Sequence, residues 1–124
     1  MNPIRLTLPW PPTVNTYWRH VGGRVLVSSA GRAYREEVAW RVKAAHANLD
    51  LTGEISALID LFPPDRRRRD IDNILKALLD SLQYGGVYRD DSQIVSLNIK
   101  RRYPEPCGRV KVIIDEIKEG QQCR

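Results

Sequence analysis

Sulfur and long apolar runs are what this 124-residue chain has least of. There are two cysteines, Cys107 and Cys123, and one methionine. Two thiols are too few for a disulfide scaffold, and their spacing is not that of a metal knuckle. Both are expected free, in a reducing cytosol. No stretch of about 18 apolar residues occurs, which excludes a membrane-spanning helix. The opening Met1-Asn2-Pro3-Ile4-Arg5 lacks the basic-then-apolar form of a secretory signal, so a cytoplasmic location is expected. Repeats, linkers and low-complexity stretches are also missing. Residues 1–124 therefore read as one domain, with about 119–124 as a flexible tail.

What the chain does have is arginine. Net charge is +5, and 15 arginines outnumber five lysines. The planar guanidinium fork matches phosphate oxygens better than the point charge of lysine does. Basic charge alone is weak evidence; its placement is what carries information. With 42% hydrophobic residues the chain can bury an ordinary small core, one marginal enough for dimerisation to help.

Ile4 to Leu8 alternates apolar and polar residues as a strand does, and Pro9-Trp10-Pro11-Pro12 ends it. A loop rich in aromatic and basic residues follows from Thr13 to Arg24. Gly22-Gly23 can turn it into a short Val25–Val27 strand. Ser28 or Ser29 can cap a helix reaching about Asn48. Its buried stripe is expected at Tyr34, Val38, Val42, Ala45 and Leu49, and its solvated face at Arg32, Arg35, Glu36 and Lys43. Ile55 to Phe62 reads as a strand, and Asn73 to Gln83 as a helix ended by Gly85-Gly86. Ile94 to Tyr103 and Arg109 to Ile117 both alternate, and they are expected to pair as an antiparallel hairpin. The main order β-α-β-α-β-β implies an α+β domain around one mixed sheet.

Chemistry concentrates between Pro63 and Asn73. Arg66, Arg67, Arg68 and Arg69 run directly into Asp70-Ile71-Asp72. Consecutive arginines attract phosphate, whereas paired carboxylates repel it unless a divalent cation stands between them. A hard cation such as Mg²⁺ takes one to three carboxylates together with substrate phosphate. Asp70 and Asp72 lie two apart, so in an extended segment they project to one side. Lys76, four residues after Asp72, shares its helical face and can offset charge on a phosphate. Asp90-Asp91 follows the same helix, and the fold would have to bring Asp91 back to Asp70 and Asp72. Such a site would hydrolyse a phosphodiester with metal-activated water. The alternative stays open at this level: an aspartate capping the helix, a surface i,i+4 pair at Asp72 and Lys76, a turn at Asp90-Asp91, and arginines in a solvated loop. On that reading the chain is a non-catalytic, structure-specific nucleic-acid-binding module.

Trp10 and Tyr17 are expected in core or dimer-interface packing, with stacking on unpaired bases or a wedge at a distorted duplex as the alternative. Arg19 and His20 are candidate phosphate contacts. His46 reads as structural.

These blocks resemble the RusA family of Holliday junction resolvases, found in bacteria and their prophages. Leu8-Pro9-Trp10-Pro11-Pro12 with Asn15, Tyr17 and Arg19 is similar to the family's N-terminal signature. Ser29-Ala30-Gly31 with Ala33-Tyr34-Arg35 resembles the start of its first helix. Pro64 to Asn73, followed by Lys76-Ala77 and Asp80, resembles its active-site motif, and Asp90-Asp91 with Gln93-Ile94 its third block. The resemblance implies an endonuclease that uses Mg²⁺, with Mn²⁺ as a possible substitute and no small-molecule cofactor. It implies a homodimer that resolves four-way DNA junctions by paired nicks. It further implies that Asp70, Asp72 and Asp91 bind metal, that Lys76 is catalytic, and that Asp90 is an additional acidic position.

Overall fold

The structure, a computed structural model, describes residues 3–117. The expected tail at about 119–124, with Cys123, lies outside the described residues. Alternation sets the strands. In β1 (Ile4–Pro9) Ile4, Leu6 and Leu8 point inward, and in β4 (Ile55–Phe62) Ile55, Ala57, Ile59 and Leu61 do. In β6 (Arg109–Glu116) the inward row is Val110, Val112 and Ile114. Against these rows pack α2 (Ser29–Ala44), through Tyr34, Val38 and Val42, and α3 (Asp72–Tyr84), through Ile74, Leu78 and Leu82. Each large aliphatic side chain so buried contributes about 1.5–3 kcal/mol of transfer free energy.

The aromatic loop is more ordered than its composition suggests. A single turn of helix, α1 (Val14–Tyr17), leads into β2 (Trp18–Val21), which pairs antiparallel with β3 (Arg24–Val27) across Gly22-Gly23. Ser28 caps α2 as expected, its hydroxyl accepting the Gly31 N–H at 2.9 Å. The helix stops at Ala44, four residues before the expected Asn48, and His46 just beyond it has φ 55°. Ala45 and Leu49 are consequently exposed, and Ala47 and Leu51 enter the core in their place.

The main sheet runs β1-β6-β4-β5, where β5 is Ile94–Arg101. The expected β5–β6 hairpin does not form. β4 lies between them, antiparallel to β6 and parallel to β5. Ile55 to Phe62 is apolar enough to be flanked on both edges, and the connector between Arg101 and Arg109 can cross the roughly 10 Å of two strand spacings. Parallel neighbours need a crossover, and α3 provides it. Thus α3 begins at the C-terminal end of β4 and runs back along the sheet. β5 begins at the opposite end, where Ile94 pairs with Ile55.

Candidate active site

β4 ends against Pro63-Pro64, and the loop that follows is tied by Asp65. One Asp65 carboxylate oxygen accepts the Arg67 N–H at 2.8 Å and the Arg69 guanidinium at 2.8 Å; the other accepts from Arg67 Nε at 3.3 Å. These donors, Arg69 first, hold the Asp65 carboxyl well below the usual carboxylate range. Arg69 also donates to the carbonyls of Asp65 and Arg67 and lies 5.9 Å from the Trp10 ring centre. Its own carbonyl accepts from Arg101 at 2.6 Å. The four arginines therefore do not share one environment. Arg69 is folded inward, Arg67 is tethered, and Arg66 and Arg68 are exposed with no side-chain partner among the described residues.

Asp70 and Asp72 are exposed, and no hydrogen bond or ion pair engages their carboxylates among the described residues. Ile71 occupies the N-cap position of α3 without a side-chain cap bond, so neither aspartate is spent on capping the helix. Their negative charge suits the first turn, where free N–H groups and the helix dipole are positive. Lys76 follows one turn later, and its ammonium lies 3.3 Å from Asp91 Oδ2. Asp91 opens a 3-10 helix (Asp91–Gln93), and its N–H donates to the Gln83 side chain at 3.0 Å.

The expectation that Asp91 would close with Asp70 and Asp72 into one set is not met among the described residues, where no three acidic, histidine or cysteine side chains gather around one point. Topology is the reason. Asp91 immediately precedes β5, while Asp70 follows the far end of the parallel β4. Those strand ends lie at opposite ends of the sheet, and α3 runs from one toward the other. The long Lys76 side chain reaches back along α3 to Asp91; the short aspartates do not. The donor chemistry, carboxylates without sulfur or imidazole, nevertheless fits a hard divalent cation.

Asp90 has a structural task. Its carboxylate accepts the Ser92 N–H at 2.9 Å and forms a reciprocal capping box with Gln93, which holds the Asp90 carboxyl below its ordinary value. The Asp-x-x-Gln spacing carries this signal. Arg19 and His20 stand exposed on β2, distant in sequence from the arginine loop.

Sequence reasoning missed a cluster beneath the site. The Tyr17 hydroxyl bonds to Asp80 on α3, and Arg35 of α2 donates to Tyr17 at 2.9 Å and to Asp80 at 3.0 Å. Arg35 was expected on a solvated face but is half-buried, stacked 4.8 Å from the Tyr84 ring centre. Burial, then the Asp80 bond, raises the Tyr17 phenol. The partners lie 45 and 63 residues apart, and no local pattern predicts such pairs.

A family model described as Endodeoxyribonuclease RusA matches residues 9–115 of the chain. The chain belongs to the RusA family. The crossover junction endodeoxyribonuclease RusA of Escherichia coli K12 is 41% identical over 117 residues, covering 94% of this chain and 98% of that protein. The enzymes of the same name from Enterobacteria phage 82 and Shigella sonnei are each 39% identical over the same coverage. The match to the RusA model spans the arginine loop, α3 and Asp91 together. No helix among the described residues is long and apolar enough to cross a membrane.

Proposed function

We propose that this RusA-family chain is a Mg²⁺-dependent endodeoxyribonuclease that resolves four-way DNA junctions, working as a homodimer in the cytoplasm, with Mn²⁺ able to substitute. The observation that carries this reading is the contact between Lys76 and Asp91, one helical turn along α3 from two carboxylates that no side chain among the described residues engages. It joins two sequence blocks 15 residues apart and sets a cation one helical turn from Asp72. Asp70 and Asp72 would hold the metal, and Asp91, paired with Lys76 in this structure, would join them as a third donor only by moving toward them. Bound there, the ion supplies Lewis acidity that activates water and neutralises charge on the phosphate.

The chain's own groups do the rest. Arg66 and Arg68 hold the DNA backbone, and Arg19 and His20 take phosphates further along it. Arg69 fixes the loop that aims Asp70. Lys76 passes from Asp91 to a phosphate oxygen and opposes the charge that builds as phosphorus becomes five-coordinate. Hydrolysis breaks the bond from phosphorus to the 3′ oxygen, which leaves with a proton, so the products are a 5′-phosphate and a 3′-hydroxyl. Two copies related by a two-fold axis would present two such sites to opposite strands of a junction whose own symmetry is approximately two-fold.

The test is cleavage of a synthetic four-way junction, with and without Mg²⁺, by the wild type and Asp70→Asn. Symmetric nicks by the wild type, and junction binding without nicks by the variant, are the expected result. A wild type that binds the junction but never nicks it, with any divalent ion, would instead make the chain a non-catalytic binding module.

A further inference from the structure

The β2–β3 hairpin is anchored at its base and bare beyond it. At the base Tyr17 is fully buried. Its carbonyl accepts the Ser28 N–H at 2.9 Å, and its hydroxyl is bound to Asp80 of α3. Further out, Val21, Val25 and Leu26 are 42%, 56% and 40% exposed. The turn glycines, Gly22 and Gly23, have φ of 54° and 78°, and a Cβ built on either would meet nothing within 4 Å. A lone two-stranded ribbon is marginal in water, and its exposed aliphatic side chains gain from a partner that covers them.

The strand register says which ligand. Arg19 pairs with Leu26 and Val21 with Arg24, so these four share one face; Trp18, His20, Val25 and Val27 share the other. The first face alternates guanidinium with aliphatic groups, and neither Arg19 nor Arg24 has a side-chain partner among the described residues. Two unpaired guanidinium groups would repel the same face of a second copy, and they attract phosphate. Aliphatic side chains between phosphate contacts touch base faces only where the stack is broken, as wedge residues do in kinked duplexes. Position agrees. Asp72, Lys76 and Asp80 follow one another at four-residue steps along α3, a single slowly drifting stripe. Asp80 holds Tyr17, the residue immediately before β2. The hairpin thus springs from the side of α3 that carries Asp72 and Lys76.

We infer that Val21 and Leu26 are a wedge that enters the branch point of a DNA junction and holds a base step unstacked, while Arg19 and Arg24 grip the flanking phosphates. This rests on the junction-nuclease reading and adds to it the device that opens the substrate. It gives that enzyme a means of distinguishing a branch point, whose bases unstack readily, from linear duplex.

The probe is a four-way junction carrying 2-aminopurine at the crossover, bound without divalent metal so that it is not cut. Wild-type protein should raise the fluorescence as the base unstacks. Val21→Ser/Leu26→Ser should lose that rise, whereas Val25→Ser, on the opposite face, should keep it. With Mg²⁺, the preference of the double variant for a junction built with unpaired bases at its crossover should increase about tenfold over wild type, because the unstacking cost is no longer offset. All three residues are exposed, so folding is not at risk. An undiminished fluorescence rise in the double variant overturns the inference, as does a changed oligomeric state, which would make the tip a contact between copies. A wild type that unstacks the junction but never cuts it would leave the wedge standing and remove the nuclease reading. Normal cutting by wild type with no effect of the double variant would do the reverse.

Discussion

The Lys76 ammonium lies 3.3 Å from the Asp91 carboxylate, spanning the gap between the first half of α3 and the start of β5. Both side chains are part-exposed, so the pair adds little to stability, well under about 1 kcal/mol. Its interest lies in competition: a cation at Asp91 and the ammonium of Lys76 seek the same oxygen. Lys76→Gln should therefore bind Mg²⁺ at least as tightly as wild type, measured calorimetrically, yet cleave about 100–1,000-fold more slowly. A loss confined to junction affinity, with the cleavage rate of the bound complex intact, would mean that Lys76 only holds the backbone.

Gly31 sits inside α2, where exchanging glycine for alanine ordinarily gains about 1 kcal/mol. Here an added Cβ would meet the Tyr17 carbonyl oxygen at 2.6 Å and a Val27 methyl at 2.7 Å. Overpacking of that kind costs about 1–3 kcal/mol and should win. Gly31→Ala should lower the urea midpoint without changing the denaturant slope. An unchanged or raised midpoint would show that the base of the hairpin is free to shift.

Stability should fall on the alkaline side. Burial raises the phenols of Tyr34 and Tyr88, which donate to the carbonyls of Pro9 and Leu79 at 2.8 and 2.6 Å. Tyr17 is raised by burial and then by Asp80, and Tyr84 by its bond to Glu36. In the unfolded chain these phenols lose their protons near pH 10.0, whereas in the folded protein they keep them to higher pH. Above that value the folded state binds more protons, so unfolding becomes easier as pH rises. Tyrosinate absorbance should appear together with the loss of helical circular dichroism. Smooth tyrosine titration near pH 10 in a protein that stays folded would contradict it.

Much of the fold was legible because its signals are local. The inward rows of β1, β4 and β6 alternate, and the stripe of α3 has helical spacing. The order of strands was not. β5 and β6 follow each other closely in the chain, and proximity favours a hairpin, but the apolar β4 takes the place between them. The site divides the same way. Asp70, Asp72 and Lys76 could be placed together because one loop and one helical turn connect them. The position of Asp91 depends on the parallel β4–β5 pairing, and the link from Tyr17 to Asp80 on contacts between three helices. Neither leaves a periodic trace.

The arginine run separates by role in a way that charge counting would get wrong. Arg66 and Arg68 are exposed and unpaired among the described residues, so Arg66→Ala and Arg68→Ala should each weaken junction binding and reduce the salt dependence of log K by about 0.9. Arg69 is bound to Asp65 and to two loop carbonyls, so Arg69→Ala should slacken the loop and lose cleavage beyond any loss of binding. Asp65→Ala is the discriminating variant. It removes a negative charge beside the DNA-binding arginines, which electrostatics alone would have tighten the complex. Asp65, however, ties Arg67 and Arg69, and the loop it shapes leads directly into Asp70. Cleavage per bound junction should therefore fall in Asp65→Ala as it does in Arg69→Ala, and the double variant should be little worse than either single one. If Asp65→Ala binds more tightly and cleaves normally, Asp65 is only a charge to be outweighed, and Arg69 is free to serve as one more phosphate contact.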